Sequence, residues 1–117
     1  MNYIQIEIGG KLRGLKFNQL SLEVYTKHVG TGMSSAIYAT FYAGLVGNCY
    51  VKQEEPDFTF EDVTDWVDHL YEKDKTEIEK VCAMWADTYV YREWIKEFKE
   101  RVRAILEPEK KSKKKVK

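Results

Sequence analysis

The sequence predicts an α+β fold, mainly helical, with an N-terminal β-hairpin followed by about four α-helices, the last of them long. Three observations carry that reading. Ile4, Ile6 and Ile8 alternate with Gln5 and Glu7 and run straight into Gly9-Gly10. From Leu20 to Ile105 apolar residues recur at helical spacing. The stretch from residue 52 to 57, with Pro56 in it, is the clearest polar break in the body of the chain.

The alternating isoleucines have the period of a half-buried strand. A glycine pair supplies the positive φ angles of a two-residue hairpin turn, so residues 11 to 17 are expected to return as the partner strand. In that return Leu15 and Phe17 share a face, Leu12 is out of phase, and Gly14 sits where a bulge would absorb the extra residue. Asn18 is a good N-cap, because its side chain can accept from the free N–H groups of the next turn, and Leu20, Val24 and Tyr25 then fall at helical spacing up to a stop at Gly30. After Gly30-Thr31-Gly32, Ser34 or Ser35 can cap a second helix whose ridge is Ile37, Phe41 and Leu45. That helix is apolar almost all round, with a strip of Ala36, Thr40, Ala43 and Gly47 that would let another backbone approach, and it is the expected centre of the core.

Beyond the polar break, Thr59 and Asp62 form a capping box, and Phe58 before the cap can pack on Val63 as a hydrophobic staple. Val63, Trp66, Val67 and Leu70 occupy one face of this helix, while Glu61, Asp62, Asp65 and Asp68 cover the rest. Asp74 or Thr76 opens the last helix, with Ile78, Val81, Cys82, Trp85, Tyr89, Ile95, Phe98, Val102 and Ile105 on its stripe and an end near Leu106, since Pro108 disfavours helix at Glu107. Such a helix of about 30 residues would be roughly 45 Å long, more than a domain of this size is wide. Its outer half therefore either projects or packs on another chain. One domain over residues 1 to 106 is expected, with a disordered Lys-rich tail, EPEKKSKKKVK, over 107 to 117.

Composition narrows the function. The chain has 117 residues with 19 Lys plus Arg against 19 Asp plus Glu, so no global electrostatic pull toward nucleic acid or membrane exists. The charge is nonetheless segregated: residues 1 to 53 sum to +3, 54 to 79 to −9, 80 to 106 to +2 and 107 to 117 to +4. Folding at this length buries roughly two-thirds of the unfolded surface, which makes a core feasible without metal or disulfide staples. The longest nearly apolar stretch, residues 36 to 51, is interrupted by Thr40, Gly44, Gly47 and Asn48 and is too short for a bilayer, so no membrane is expected as a partner. Cys49 and Cys82, with no secretory signal pattern at the start, read as buried thiols of a reducing compartment.

Catalytic chemistry is not signalled. The cluster Asp62, Asp65, Asp68 and His69 reads as an acidic solvated helix face that contains a histidine rather than a metal site, and His28 as a cation near a helix C-terminus. Neither cysteine lies in a C-x-x-C arrangement. Gly9-Gly10 lacks the spacing of a phosphate-binding loop, and no serine lies in a nucleophile elbow. No enzyme, cofactor, metal or small-molecule substrate is expected. Two surfaces remain. Tyr89, Tyr91, Trp94 and Phe98 on the long helix serve either internal packing or a protein interface, and Tyr91, Trp94 and Phe98, which lean to one side, are the candidate protein-binding residues. The lysine tail resembles a nucleic-acid arm but is more simply a solubilising end, because no folded basic face with interleaved aromatics accompanies it, and nucleic acid is not an expected partner.

Residues 4 to 11, Ile-Gln-Ile-Glu-Ile-Gly-Gly-Lys, followed by Leu15-Lys16-Phe17-Asn18 and a helix, resemble the start of tail assembly chaperones of long-tailed bacteriophages, whose small proteins often open with an I-x-I-G-G-K hairpin and an L-K-F strand. Phe41-Tyr42-Ala43-Gly44-Leu45 looks like the Y-A-G-L segment of that family's core helix, and Thr59-Phe60-Glu61-Asp62-Val63 with Trp66 looks like its T-x-E-D-V-x-x-W capped helix. Together these span about residues 3 to 70. The stretch from 76 to 106 shows no motif of the family, so the resemblance says nothing about the rings there.

The resemblance implies a non-catalytic protein of the bacterial host cytoplasm. It would bind the tape-measure protein, with tail-tube protein as a second client, keep apolar surface covered until the tube polymerises, and be absent from the mature virion. Self-association into a homo-oligomer would be compatible with that role. Many members also exist in a second, longer form made by ribosomal frameshifting, and the lysine codons of Lys110-Lys111 and Lys113-Lys114-Lys115 are where a slippery site would fall. Rival readings are a structural head-tail or tail subunit of the virion and a small phage regulator using its lysine tail on nucleic acid.

Overall fold

The computed structural model describes the backbone of residues 2–30 and 33–116 and the side chains of residues 2–30 and 35–106. It is a mainly helical α+β fold: an antiparallel hairpin, β1 (Tyr3–Ile8) and β2 (Lys11–Lys16), is followed by five helices, α1 (Gln19–His28), α2 (Met33–Lys52), α3 (Phe60–Lys73), α4 (Lys75–Asp87) and α5 (Tyr89–Val116). The expected Lys-rich tail, residues 107 to 117, lies outside the described side chains.

Gly9 and Gly10 close the hairpin with φ of 64° and 82°, the pair of positive angles a type I′ turn needs. The ladder then runs without interruption from Ile8 opposite Lys11 to Tyr3 opposite Lys16, so the bulge expected at Gly14 is not there. Gly14 pairs directly with Gln5, and Leu12 is out of phase because it faces solvent, 63% exposed. What requires glycine at 14 is space: a Cβ would lie 2.6 Å from the Tyr3 hydroxyl and 2.9 Å from Asn48 Nδ2.

Asn18 caps α1 as expected and does so reciprocally. Its Oδ1 accepts from the Ser21 N–H at 3.0 Å while the Ser21 hydroxyl accepts from the Asn18 N–H at 3.1 Å. The fully buried Ser21 hydroxyl also donates to the Lys16 carbonyl at 2.8 Å, which binds the end of β2 to the first turn of α1. α2 starts at Met33, ahead of both serines expected to cap it, and the residue that would cap it lies outside the described residues. It is the central helix: β2, α1, α3 and α4 all pack on it, with Phe41, Ala43 and Leu45 buried. It ends in a Schellman motif, the Glu54 N–H reaching the Cys49 carbonyl at 2.9 Å and the Gln53 N–H the Tyr50 carbonyl at 3.1 Å, with Gln53 at φ 59°.

Thr59 and Asp62 make the expected capping box at 3.1 and 2.9 Å, and Phe58, Val63, Val67 and Leu70 are buried in the core. The single long helix expected from Thr76 to Leu106 is instead two. Thr88, with extended backbone, ends α4 and caps α5. Its hydroxyl donates to the Trp85 carbonyl at 2.8 Å and accepts from the Tyr91 N–H at 3.2 Å. The phase of the stripe explains the break. Ile78, Val81 and Trp85 project onward to Tyr89 and Arg92, whereas the buried-side rings sit at Tyr91 and Trp94, so an unbroken helix could not bury both sets. α5 then continues past the stop expected at Leu106.

Two substitutions test these contacts. Gly47→Ala places a Cβ 2.2 Å from the Lys16 carbonyl oxygen, a backbone atom that cannot step aside; it should cost about 3 kcal/mol or more in urea unfolding. Gln53→Gly relieves the left-handed backbone at the end of α2 and should stabilise by about 1 kcal/mol in the same assay.

Candidate functional site

The rings singled out on the long helix are built onto the core through Trp85. Phe17 and Trp85, both buried, lie with ring centroids 5.2 Å apart, and Trp85 lies 5.2 Å from both Tyr25 and Tyr91. Tyr25 meets Tyr91 and Trp94 edge-on at 6.1 and 5.8 Å. Trp94 then stacks on Phe98 at 5.7 Å with 27° between planes. These separations are those of favourable aromatic pairs. The result is a ladder of rings that begins in the interior at Phe17 and emerges into solvent at Phe98.

The structure therefore divides the candidate residues. Tyr91 and Trp94 are half-buried against α1 and α4, and Phe98 is 50% exposed. Tyr89 is 71% exposed and stands apart from the ladder. From Lys96 to Leu106 every residue of α5 is exposed, so the outer part of this helix projects from the body. Val102, Ile105 and Leu106 prolong the ladder along it at 39%, 75% and 57% exposure. Sequence periodicity puts Val102 and Ile105 on the stripe but does not show that they are left exposed.

Charge is arranged around this stripe. At about 100° per residue, Lys99 and Arg92 fall along one of its edges and Arg101 along the other, with Glu97 one turn before Arg101 and further from the stripe, whereas Glu93 and Glu100 fall on the far side of the helix.

A second ring cluster lies over the hairpin. The Arg13 guanidinium sits 4.5 Å from the Trp66 ring and 5.6 Å from Phe58, and a Cβ on Gly9 would strike the Trp66 indole at 2.7 Å. Asp57 accepts from Arg13 at 2.8 Å and from Lys11 at 3.2 Å; these hydrogen bonds, Arg13 first, hold its carboxyl down to about 2. His28 is in the last turn of α1 and stacks on Phe60 at 4.5 Å. Asp68, one of the acidic cluster, accepts from the Tyr38 hydroxyl.

Reactive groups are muted. Cys49 and Cys82, expected to be buried, are only half-buried at the edge of the core. Partial burial raises the Cys82 thiol, and partial burial followed by the Glu54 and Asp57 carboxylates raises Cys49, so both favour the protonated, weakly nucleophilic form. A cleft of about 610 Å³ runs between β1 and the α3–α4 corner, lined by Ile6, Ile8, Trp66, His69, Leu70 and Glu77 among others. Among the described residues no group of three or more His, Cys, Asp or Glu side chains is placed to hold a metal ion, and no helix is long and apolar enough to cross a membrane. No protein-family model, curated protein or solved structure matches the chain.

The Asp57 cluster carries a pH prediction. An unfolded aspartate titrates near ~3.9, above the folded value of about 2, so the stabilisation is present above pH ~4 and is lost as pH falls toward 2. Asp57→Asn should lower the thermal midpoint at pH 6 and leave it close to that of the unsubstituted protein at pH 2.

Proposed function

We propose that this chain is a tail assembly chaperone of a long-tailed bacteriophage or prophage. It binds the tape-measure protein, with tail-tube subunits as a second client, in the host cytoplasm before the tube polymerises. The family identity rests on the resemblance over residues 3 to 70; the observation that carries protein binding is the face of α5 from Phe98 to Leu106, an apolar stripe held away from the body with its large side chains in solvent. Exposed contiguous apolar surface of this kind marks an interaction site, and a tape measure, a long helical chain with apolar stripes, is matched to it. A second observation supports the family resemblance. The Leu15-Lys16-Phe17 and Ala43-Gly44-Leu45 segments meet in the fold: a Cβ on Gly44 would lie 2.9 Å from both Leu15 and the Phe17 ring. Two motifs far apart in the chain thus form one packing unit.

Co-expression with a tape-measure protein from the same genome is the direct test. The tape measure should become soluble and co-purify with this chain, and the purified mature particle should lack the chain. Failure of capture, or stoichiometric presence in the particle, overturns the reading.

A further inference from the structure

We infer that the outer face of α5 is the seam for a single amphipathic helix of another polypeptide whose apolar stripe is bordered by acidic side chains. The inference rests on the chaperone reading for the identity of the client, and on the geometry of α5 for its chemistry. Tyr91, Ile95, Phe98, Val102 and Ile105 are spaced alternately four and three apart, the seam of a left-handed helix pair. The inner end of this seam is filled by the chain itself, since Tyr91 and Trp94 lie against Tyr25. The outer end, Phe98, Val102, Ile105 and Leu106, is exposed over about 12 Å of helix.

The borders select the occupant. In heptad terms Arg92 and Lys99 occupy the position on one side of the seam and Arg101 the position on the other, the places where paired helices exchange charges. A second copy laid antiparallel over the exposed end would set Arg101 against Arg101 on one border and leave Lys99 without an acidic partner on the other, where the flanking residues are Arg92 and Leu106. A second copy laid parallel would place both bodies at the same end. There α1, packed through Tyr25 on the seam face, occupies the space that a partner axis at 8–10 Å requires. A foreign helix with Glu or Asp on both borders meets neither obstacle and gains opposite charges on each side.

Two synthetic 21-residue helical peptides with Leu along the seam test this, one with Glu and one with Lys on both borders, titrated into the full chain by fluorescence anisotropy. The Glu peptide should bind at least tenfold tighter than the Lys peptide and weaken as salt rises. Lys99→Glu with Arg101→Glu should reverse the preference. Phe98→Ser with Ile105→Ser should abolish binding of both peptides while circular dichroism stays unchanged and the thermal midpoint falls only by the small amount that loss of the Trp94–Phe98 stack entails, because both side chains are at least half exposed. Equal binding of the two peptides, no binding, or a homodimer that Phe98→Ser with Ile105→Ser dissolves would overturn the inference. Tape-measure capture that survives Lys99→Glu with Arg101→Glu would overturn it while leaving the chaperone reading intact. Glu-peptide binding without tape-measure capture would support the seam and reject that reading.

Discussion

The approach of α2 to the end of β2 is the constraint from which the other positions follow. At Gly47 a Cβ would lie 2.2 Å from the Lys16 carbonyl and 2.4 Å from the Ser21 hydroxyl, so the helix touches the strand end and the first turn of α1 at once. That carbonyl already accepts the Ser21 hydroxyl, and Ser21 is locked to Asn18 by the capping box. A buried polar junction of this kind keeps its worth only while every member is satisfied. One turn earlier, Gly44 leaves room for Leu15 and Phe17 to enter the core, and the Phe17 ring meets Trp85. Through Trp85 the position of β2 sets that of Tyr25 and Tyr91, and so the direction in which α5 leaves the body.

Seen from that junction, the exposed end of α5 is a choice the fold makes at Thr88. Had α4 continued as one helix, the rings at Tyr91 and Trp94 would have rotated away from Tyr25. The break rephases the stripe so that its inner rungs are anchored while its outer rungs remain open. Burying a side chain such as Ile105 is worth ~1.5–3 kcal/mol. The isolated chain leaves that free energy unrealised, and a partner helix would recover it.

Much of the fold was legible in the residues because its signals are local. Alternation of Ile4, Ile6 and Ile8, the glycine turn, the caps at Asn18 and Thr59 and the face of α3 each depend on a few neighbours. Gly14 was misread as a bulge because the reason for it is that Tyr3 and Asn48 fill the space a Cβ would take, and no sequence neighbour of Gly14 reveals that. The Thr88 break was recoverable in principle from the slip between Ile78, Val81, Trp85 and Tyr91, Trp94, Phe98, with a capping residue between them. For the site, periodicity placed the rings on one side of a helix but could not say which rungs the rest of the chain would cover. A stripe facing a core and a stripe facing solvent have the same spacing.

The charge segregation bears on why that stripe stays open. The strongly acidic block of residues 54 to 79 includes α3, which is itself an acid-rich amphipathic helix. In chemistry it resembles the occupant that basic borders would favour. Its apolar residues Val63, Val67 and Leu70 are however committed to the core, and its cap, the contact of Phe58 with Trp66 and the Arg13 cluster fix it there. Among the described residues the folded chain therefore offers its own seam no acidic-bordered helix, neither from α3 nor from a second α5. A neutral protein can thus carry an apolar helix face without matching itself, and only a foreign helix supplies both the missing apolar contact and the opposite charge.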